Sequence, residues 1–154
     1  MREKNLEQID GAGQIQGILN VVSEWARREK RVLGVALVGS WARGEARPDS
    51  DIDLVLLVDD WDSFRTTAWM AELDWDSIGE KVVRFEDADY GLVWSRFLFT
   101  DKNQEIEFGF AHIDWLKTDP VDAGTKKVVS DGMRILLDKQ GRLGHLLDHV
   151  RQIP

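Results

Sequence analysis

Cysteine is absent from the 154 residues of this sequence. Without it neither a disulfide framework nor a thiolate zinc site can form, so the chemistry must come from carboxylates or histidines. The sequence also lacks an apolar run approaching the ~18 residues that a membrane span needs, and its first ten residues are charged without an apolar core. We therefore expect a cytoplasmic protein that does not enter membranes.

Basic residues are fewer than acidic ones in this sequence. The sequence has 20 Lys and Arg against 28 Asp and Glu, a formal net charge of -8. A long nucleic acid is disfavoured as a partner, because a protein that binds one must neutralise many phosphates. This acidity would tolerate a polyphosphate only where a divalent cation intervenes, and it favours a cationic second substrate. The length and the interspersed charges indicate a single folded domain over residues 1–154.

Hydrophobic periodicity predicts the first half of the fold. We expect Gly11 and Gly13 to interrupt the first segment, and an amphipathic helix to follow them as far as Arg31. Its apolar face consists of Ile15, Ile18, Leu19, Val22, Trp25 and Ala26. The nearly continuous apolar runs Val32 to Val38 and Ile52 to Val58 predict two strands buried on both faces.

The second half of the sequence predicts shorter elements, bounded by turn residues. The predicted elements are a helix from Ser63 to Leu73 with Asp62 or Ser63 as N-cap, a short strand from Val82 to Phe85, two strands from Leu92 to Phe99 and Ile106 to Ala111 joined by a hairpin turn at Thr100 to Gln104, a connection marked by Pro120 and Gly124, a strand from Met133 to Leu137, and a helix from Leu143 to Ile153.

Gly39 and Ser40 follow directly after the first predicted strand. A glycine at this position lets backbone N–H groups approach a phosphate, and the serine hydroxyl adds a donor. The alternative is an ordinary turn from strand to helix. Arg43 and Arg47 lie in the same loop and either contact a triphosphate or stay solvated, and Trp41 could stack on a base.

Asp51 and Asp53 stand at the head of the second predicted strand. Residues two apart on a strand point to the same face with Cα atoms roughly 6.6 Å apart, so both carboxylates can reach one cation. Hard oxygen ligands on a rigid strand suit Mg²⁺ bound to a substrate phosphate. The alternative, an exposed strand end, is weakened because Val55 to Val58 continue the strand as an apolar run.

A two-metal site needs a third acid from a neighbouring strand. Glu107 has the required setting because it lies between Ile106 and Phe108. The alternatives are Glu105, which shares that face of the strand, and Glu86; a polar residue on the solvated face of a hairpin explains Glu107 equally well. His112 follows the same strand and is a further option as general base.

Together these motifs resemble a known signature: Gly39-Ser40, ten intervening residues, Asp51-Ile52-Asp53, and an acid on a later strand. This is the pattern of the nucleotidyltransferase superfamily, which has the polymerase-beta-like fold. The fuller run GSWARGEARPDSDIDL is similar to the small bacterial members, namely the minimal and the aminoglycoside nucleotidyltransferases.

The resemblance implies an α+β fold with helices packed on a mixed, twisted sheet, and the transfer of a nucleoside monophosphate, AMP from ATP, with Mg²⁺ as cofactor. The acceptor would be a hydroxyl of a small molecule, such as an aminoglycoside, or of a protein. By carry-over, Gly39 and Ser40 hold the triphosphate, Asp51 and Asp53 bind both metals, and Glu107 binds the metal that activates the acceptor.

The sequence departs from the family pattern in two respects. Many relatives carry Asp as the third acid, where this sequence has Glu107. Acceptor-specific relatives often carry a larger helical domain after the catalytic core, and we expect residues 1–154 to lack it. The alternative function is a nucleotide-binding or antitoxin-like, partner-binding module of the same fold without turnover.

Overall fold

A computed structural model of the protein describes the backbone of residues 2–153 and the side chains of residues 13–153. The strands are β1 (Val32–Val38), β2 (Ile52–Val58), β3 (Val82–Asp89), β4 (Val93–Thr100), β5 (Glu105–Ala111) and β6 (Met133–Asp138). The helices are α1 (Arg2–Arg28), α2 (Gly39–Arg43), α3 (Ala123–Asp131) and α4 (Arg142–Arg151). Among the residues described, no helix is both long enough and apolar enough to cross a membrane.

The six strands form one sheet in the order β3-β4-β5-β2-β1-β6. Strands β2 and β5 are parallel, whereas every other neighbouring pair is antiparallel. The fold is therefore α+β with a mixed sheet, as the sequence predicted. Because the two central strands β2 and β5 are parallel neighbours, they begin at the same end of the sheet and their first residues lie side by side.

Both faces of the sheet are covered, because the central strands carry apolar side chains on both sides. On one face α1 packs against the sheet through its predicted apolar stripe, whose six residues are all buried. On the other face α3, α4 and Trp115 form a second, smaller core. The odd-numbered residues of β2 and β5, including Asp53 and Glu107, point toward this second face.

Helix α1 runs without a break through Gly11 and Gly13, so the predicted interruption is wrong. A glycine inside a helix costs only about 1 kcal/mol relative to alanine, and the buried stripe of α1 offsets this cost. A third glycine, Gly17, has a packing role. A Cβ at Gly17 would lie 3.2 Å from Ile78, so the glycine lets the turn Trp75–Ile78 approach the helix closely.

The predicted helix from Ser63 to Leu73 is also wrong: two short 3₁₀ turns, Trp61–Arg65 and Ala68–Glu72, occupy this segment. The reason lies in the backbone carbonyls. The Phe64 carbonyl accepts a hydrogen bond from the indole of Trp69 at 2.7 Å, and those of Arg65 and Thr66 accept from Arg96 at 2.9 and 2.6 Å. Buried side chains thus take the acceptors that helical N–H groups would have used.

Helix α3 was not predicted, because Gly124 was interpreted as part of a connection. The Asp122 carboxylate caps the helix by accepting a hydrogen bond from the backbone N–H of Thr125 at 3.0 Å. An aspartate before the first helical residue is a sequence signal for such a start. The strands and the hairpin turn predicted in the second half are confirmed, with β3 extending to Asp89.

Candidate active site

The residues of the central motif meet where β1 ends and where β2 and β5 begin. Val38 at the end of β1 is paired with Asp53 on β2, and Asp53 is paired with Glu107 on β5. Asp51 directly precedes β2, and Glu105 is the first residue of β5. The parallel register therefore places two acids from each strand side by side, on the face that α3 covers.

Gly39 lies directly against Asp53. It has a φ of +73°, a conformation that favours glycine, and a Cβ at this position would collide with the Asp53 carboxylate. Helix α2 starts here, and no side chain caps its N-terminus. Gly39 thus lets the backbone turn sharply beside the carboxylate, as a close approach of main-chain N–H groups to a phosphate would require.

The four acids form two pairs. Burial, then repulsion and a shared hydrogen bond with Glu107, raise the pKa of Asp53 to about 7. A shared hydrogen bond with Asp51, followed by burial, raises the pKa of Glu105 to about 7. Both shifts have one physical origin, since carboxylates in close contact and partly removed from water resist ionising together.

This donor set suits a divalent cation in its chemistry, because Mg²⁺ prefers carboxylate oxygens and would replace the protons that the pairs hold at neutral pH. In the side chains described, no group of three or more His, Cys, Asp or Glu residues is arranged to hold a metal ion. The acids stand as pairs rather than as a converged triad. The role of Asp51, Asp53 and Glu107 as metal ligands stays a prediction.

Ser95 on β4 is a site residue that the sequence analysis missed. Its side chain is completely buried, and its hydroxyl donates a hydrogen bond of 2.7 Å to Oε2 of Glu107. This bond fixes one oxygen of the glutamate. The predicted hairpin contained a signal, because its register places Ser95 opposite Gly109 and therefore diagonal to Glu107.

A cavity of about 540 Å³ opens beside the carboxylate pairs. Its volume lies in the range of about 300 to 1,000 Å³ that is usual for small-molecule sites. Gly39, Asp53 and Glu107 line one end, and the turn between β3 and β4 lines another part of the wall. The sheet contributes Val55, Val93 and Gly109.

The opposite wall comes from residues 115–131, which include α3. It contributes Trp115, Val128, Asp122 and Asp131, and Arg43 lies nearby on α2. The positive charge of Arg43 lowers the pKa of Asp53 but is outweighed by burial and the neighbouring acids. With four acids and one arginine among its lining residues, the cavity is acidic.

Several other candidates from the sequence lie outside the cavity lining, and Ser40 and Asp51 are among them. Trp41 packs against the core between α1 and the sheet, and its indole donates to the Ser50 carbonyl at 3.2 Å. His112 caps the turn Ile113–Leu116 by accepting a hydrogen bond from Asp114. Arg47 and Glu86 are exposed and lie outside the cavity lining. Glu105 joins the cluster through Asp51.

The raised pKa of Asp53 predicts how the stability of the metal-free protein varies with pH. The folded state keeps the Asp53 proton up to about pH 7, whereas an unfolded aspartate loses it near its ordinary value of 3.8. The folded state therefore binds more protons in this window, and its stability falls as the pH rises. After allowance for solvent screening we expect a loss on the order of 1 kcal/mol, or about 2–4 °C in Tm.

Thermal melts in a chelator can isolate this effect by comparing the native chain with Asp53→Asn. The two proteins should differ least near pH 3, where the aspartate is largely neutral in both folded and unfolded states. The variant should then become progressively more stable than the native chain up to pH 8. A difference in Tm that stays constant over this range would contradict the assignment.

Comparison with known proteins gives one family. A model described as "Nucleotidyltransferase domain" matches residues 18–127, and no curated protein matches the sequence significantly. Among solved structures, an aminoglycoside 6-adenyltransferase from Bacillus subtilis is similar, with 15% identity and a TM-score of 0.43. The match covers 62% of this chain and 34% of that chain, so this chain spans about a third of its length.

Proposed function

This chain belongs to the nucleotidyltransferase domain family, and from that premise we propose that it transfers the AMP group of ATP to a hydroxyl of a small cationic molecule, with Mg²⁺ as cofactor. Family membership supports nucleotidyl transfer as the activity. The identity of the nucleotide, the metal and the acceptor is our proposal, which rests on the charge and the shape of the site.

One observation carries the proposal: the register that pairs Asp53 with Glu107 directly beside Gly39. It places an anionic cluster next to a sharp backbone turn whose N–H groups no side chain caps. Phosphate groups need such donors, and carboxylates beside them need a cation between the two sets of negative charge. Nucleotidyl transfer from a triphosphate uses both features.

We assign the roles of the residues accordingly. Gly39 and Ser40 hold the triphosphate, and Arg43 offsets part of its charge. Asp51, Asp53 and Glu107 hold Mg²⁺, which when bound would stabilise the charge that develops on the phosphate and lower the pKa of the acceptor hydroxyl. Ser95 keeps Glu107 in the orientation that this requires.

In this reaction the acceptor oxygen forms a new bond to the α-phosphorus of ATP. The bond from that phosphorus to the oxygen bridging to the β-phosphate breaks, and pyrophosphate leaves. The proton of the acceptor hydroxyl passes to water.

The acceptor class follows from the cavity. A volume of about 540 Å³ accommodates a small molecule, and the acids Asp122 and Asp131 add negative charge away from the metal-binding residues. Amino groups on the acceptor would be attracted to this wall. Aminoglycosides combine hydroxyl groups with this kind of positive charge.

The direct test is pyrophosphate release from each of the four NTPs with Mg²⁺, in the presence of a panel of polyamine, aminosugar and neutral polyol acceptors. We expect release with ATP and a cationic acceptor, and mass spectrometry should show the acceptor increased by one AMP. If no NTP gave pyrophosphate with any acceptor, the proposal would fail. Labelling of a co-purifying protein instead would favour a protein hydroxyl as acceptor.

A further inference from the structure

Strand β3 forms one edge of the sheet. In the described part of the chain it pairs with β4 on one side and with no strand on the other. It is eight residues long and carries two of the large hydrophobic side chains that are exposed, Val83 at 57% and Phe85 at 41%. A long edge strand with exposed apolar side chains is a template for pairing with another strand.

Hydrogen bonding to β4 fixes which backbone groups of β3 point outward. The N–H of Tyr90 donates to the Val93 carbonyl, and the register from Arg84 to Asp89 continues regularly from this pair. Backbone groups of an antiparallel strand alternate between its two sides. Those of Arg84, Glu86 and Ala88 are therefore directed toward β4, while those of Phe85 and Asp87 are free at the outer edge.

A second copy of the chain could pair antiparallel with this edge in only a few registers, because outward groups must face outward groups. If the twofold axis passed through Arg84, Glu86 or Asp87, that residue would lie opposite the same residue of the second copy, and two like charges would meet. Centring on Phe85 avoids this. It places Arg84 opposite Glu86 of the second copy. By symmetry, Glu86 then lies opposite Arg84 of the second copy.

From this complementarity we infer that two copies of the chain associate through β3, in the register centred on Phe85, and extend the sheet across both. The interface is isologous, as is usual for homodimers. Arg84 and Glu86 occupy positions where the two strands do not exchange hydrogen bonds. Side chains approach most closely at such positions, so the charge pairs there have the strongest influence on register.

The apolar side chains also fit this arrangement. Phe85 would face Phe85 of the second copy, with Val83 of each chain diagonal to it on the same side of the sheet. The same side holds an open cleft of about 850 Å³, and its lining includes Met70, Leu73 and Trp75. Association would bury apolar surface that the single chain leaves exposed to water.

Charged residues on an edge strand often prevent pairing with another chain. Protection of the edge would explain Arg84 and Glu86, which form an exposed ion pair within the chain at 2.8 Å. It does not explain why Phe85 stays exposed in the part of the strand that pairs regularly with β4. The bulge in β3 lies between Val82 and Arg84 and leaves the rest of the strand free to pair.

The test uses charge reversal, because a self-complementary pair gives a distinctive pattern. We expect the native chain to have twice its monomer mass of 17.6 kDa by light scattering. Arg84→Glu and Glu86→Arg should each raise the dissociation constant at least about tenfold, since each sets two like-charged pairs across the interface. An equimolar mixture of the two variants should associate again, and so should the double variant.

Arg134→Glu serves as the matched control, because Arg134 is exposed on β6 at the opposite edge of the sheet. This variant should dimerise like the native chain, and thermal melts should show all the proteins folded. The inference fails if the native chain is monomeric at every concentration. It also fails if the single variants dimerise as well as the native chain, or if their mixture does not associate.

Discussion

Replacing Asp53 with asparagine is expected to lower the rate of nucleotidyl transfer by roughly a thousandfold, because several kcal/mol of transition-state stabilisation depend on a charged ligand at this position. Asp53 occupies the centre of the site, paired with Val38 on one side and Glu107 on the other. Steady-state assays of pyrophosphate release at saturating ATP and acceptor would measure the loss.

The same substitution should leave the protein folded and, at neutral pH without metal, more stable than the native chain. Loss of activity with a gain in stability would separate a role in the site from a role in folding. Asp59→Asn is the matched control, since Asp59 is exposed beyond the opposite end of β2 and lies outside the cavity. If Asp53→Asn kept more than a tenth of native activity, Asp53 would not be the ligand we assign.

Alanine in place of Gly39 is expected to reduce transfer about a hundredfold, since a reactive group displaced by about 1 Å can cost this much. A Cβ here would collide with the Asp53 carboxylate and push it away from Glu107. The left-handed φ of +73° adds a stability cost of about 1–2 kcal/mol for any residue with a side chain. Activity and the free energy of unfolding should both be measured.

Gly44 offers a matched control for this prediction. Its φ is +72°, almost the same as that of Gly39, but a Cβ on Gly44 would meet no atom within 4 Å. Gly44→Ala should therefore destabilise the protein by a similar amount while leaving the reaction rate near native. Equal losses of activity in both variants would show that the collision with Asp53 does not matter.

The strands that position the site could be predicted because their signal is local. The apolar runs that form β1 and β2 are buried on both faces, and a continuous apolar segment bounded by polar residues predicts such a strand without knowledge of its neighbours. The helix predicted from Ser63 to Leu73 was wrong because the structure of this segment depends on a contact with a distant part of the chain. Its backbone carbonyls bind Arg96, which comes from a strand about thirty residues later in the chain.

The candidate site residues also divide into those that local sequence predicts and those that depend on distant contacts. Asp51, Asp53 and the adjoining Gly39 could be proposed from the sequence because spacing along one strand and one turn fixes their geometry. Ser95 was missed, because its hydrogen bond to Glu107 depends on how the hairpin lies beside β2. Asp122 was missed for a related reason: the helix that carries it reaches the cavity only after the chain has crossed the second face of the sheet.

By itself the sequence determined the family-defining motif, the chemical character of its donors and the strands that carry them, since these follow from residue type and short-range periodicity. Only the tertiary structure decided which acids meet. The parallel pairing of β2 with β5 brings Glu107 beside Asp53 and Glu105 to Asp51, so that the acids form two pairs. Contacts between residues about fifty positions apart depend on the packing of the whole sheet.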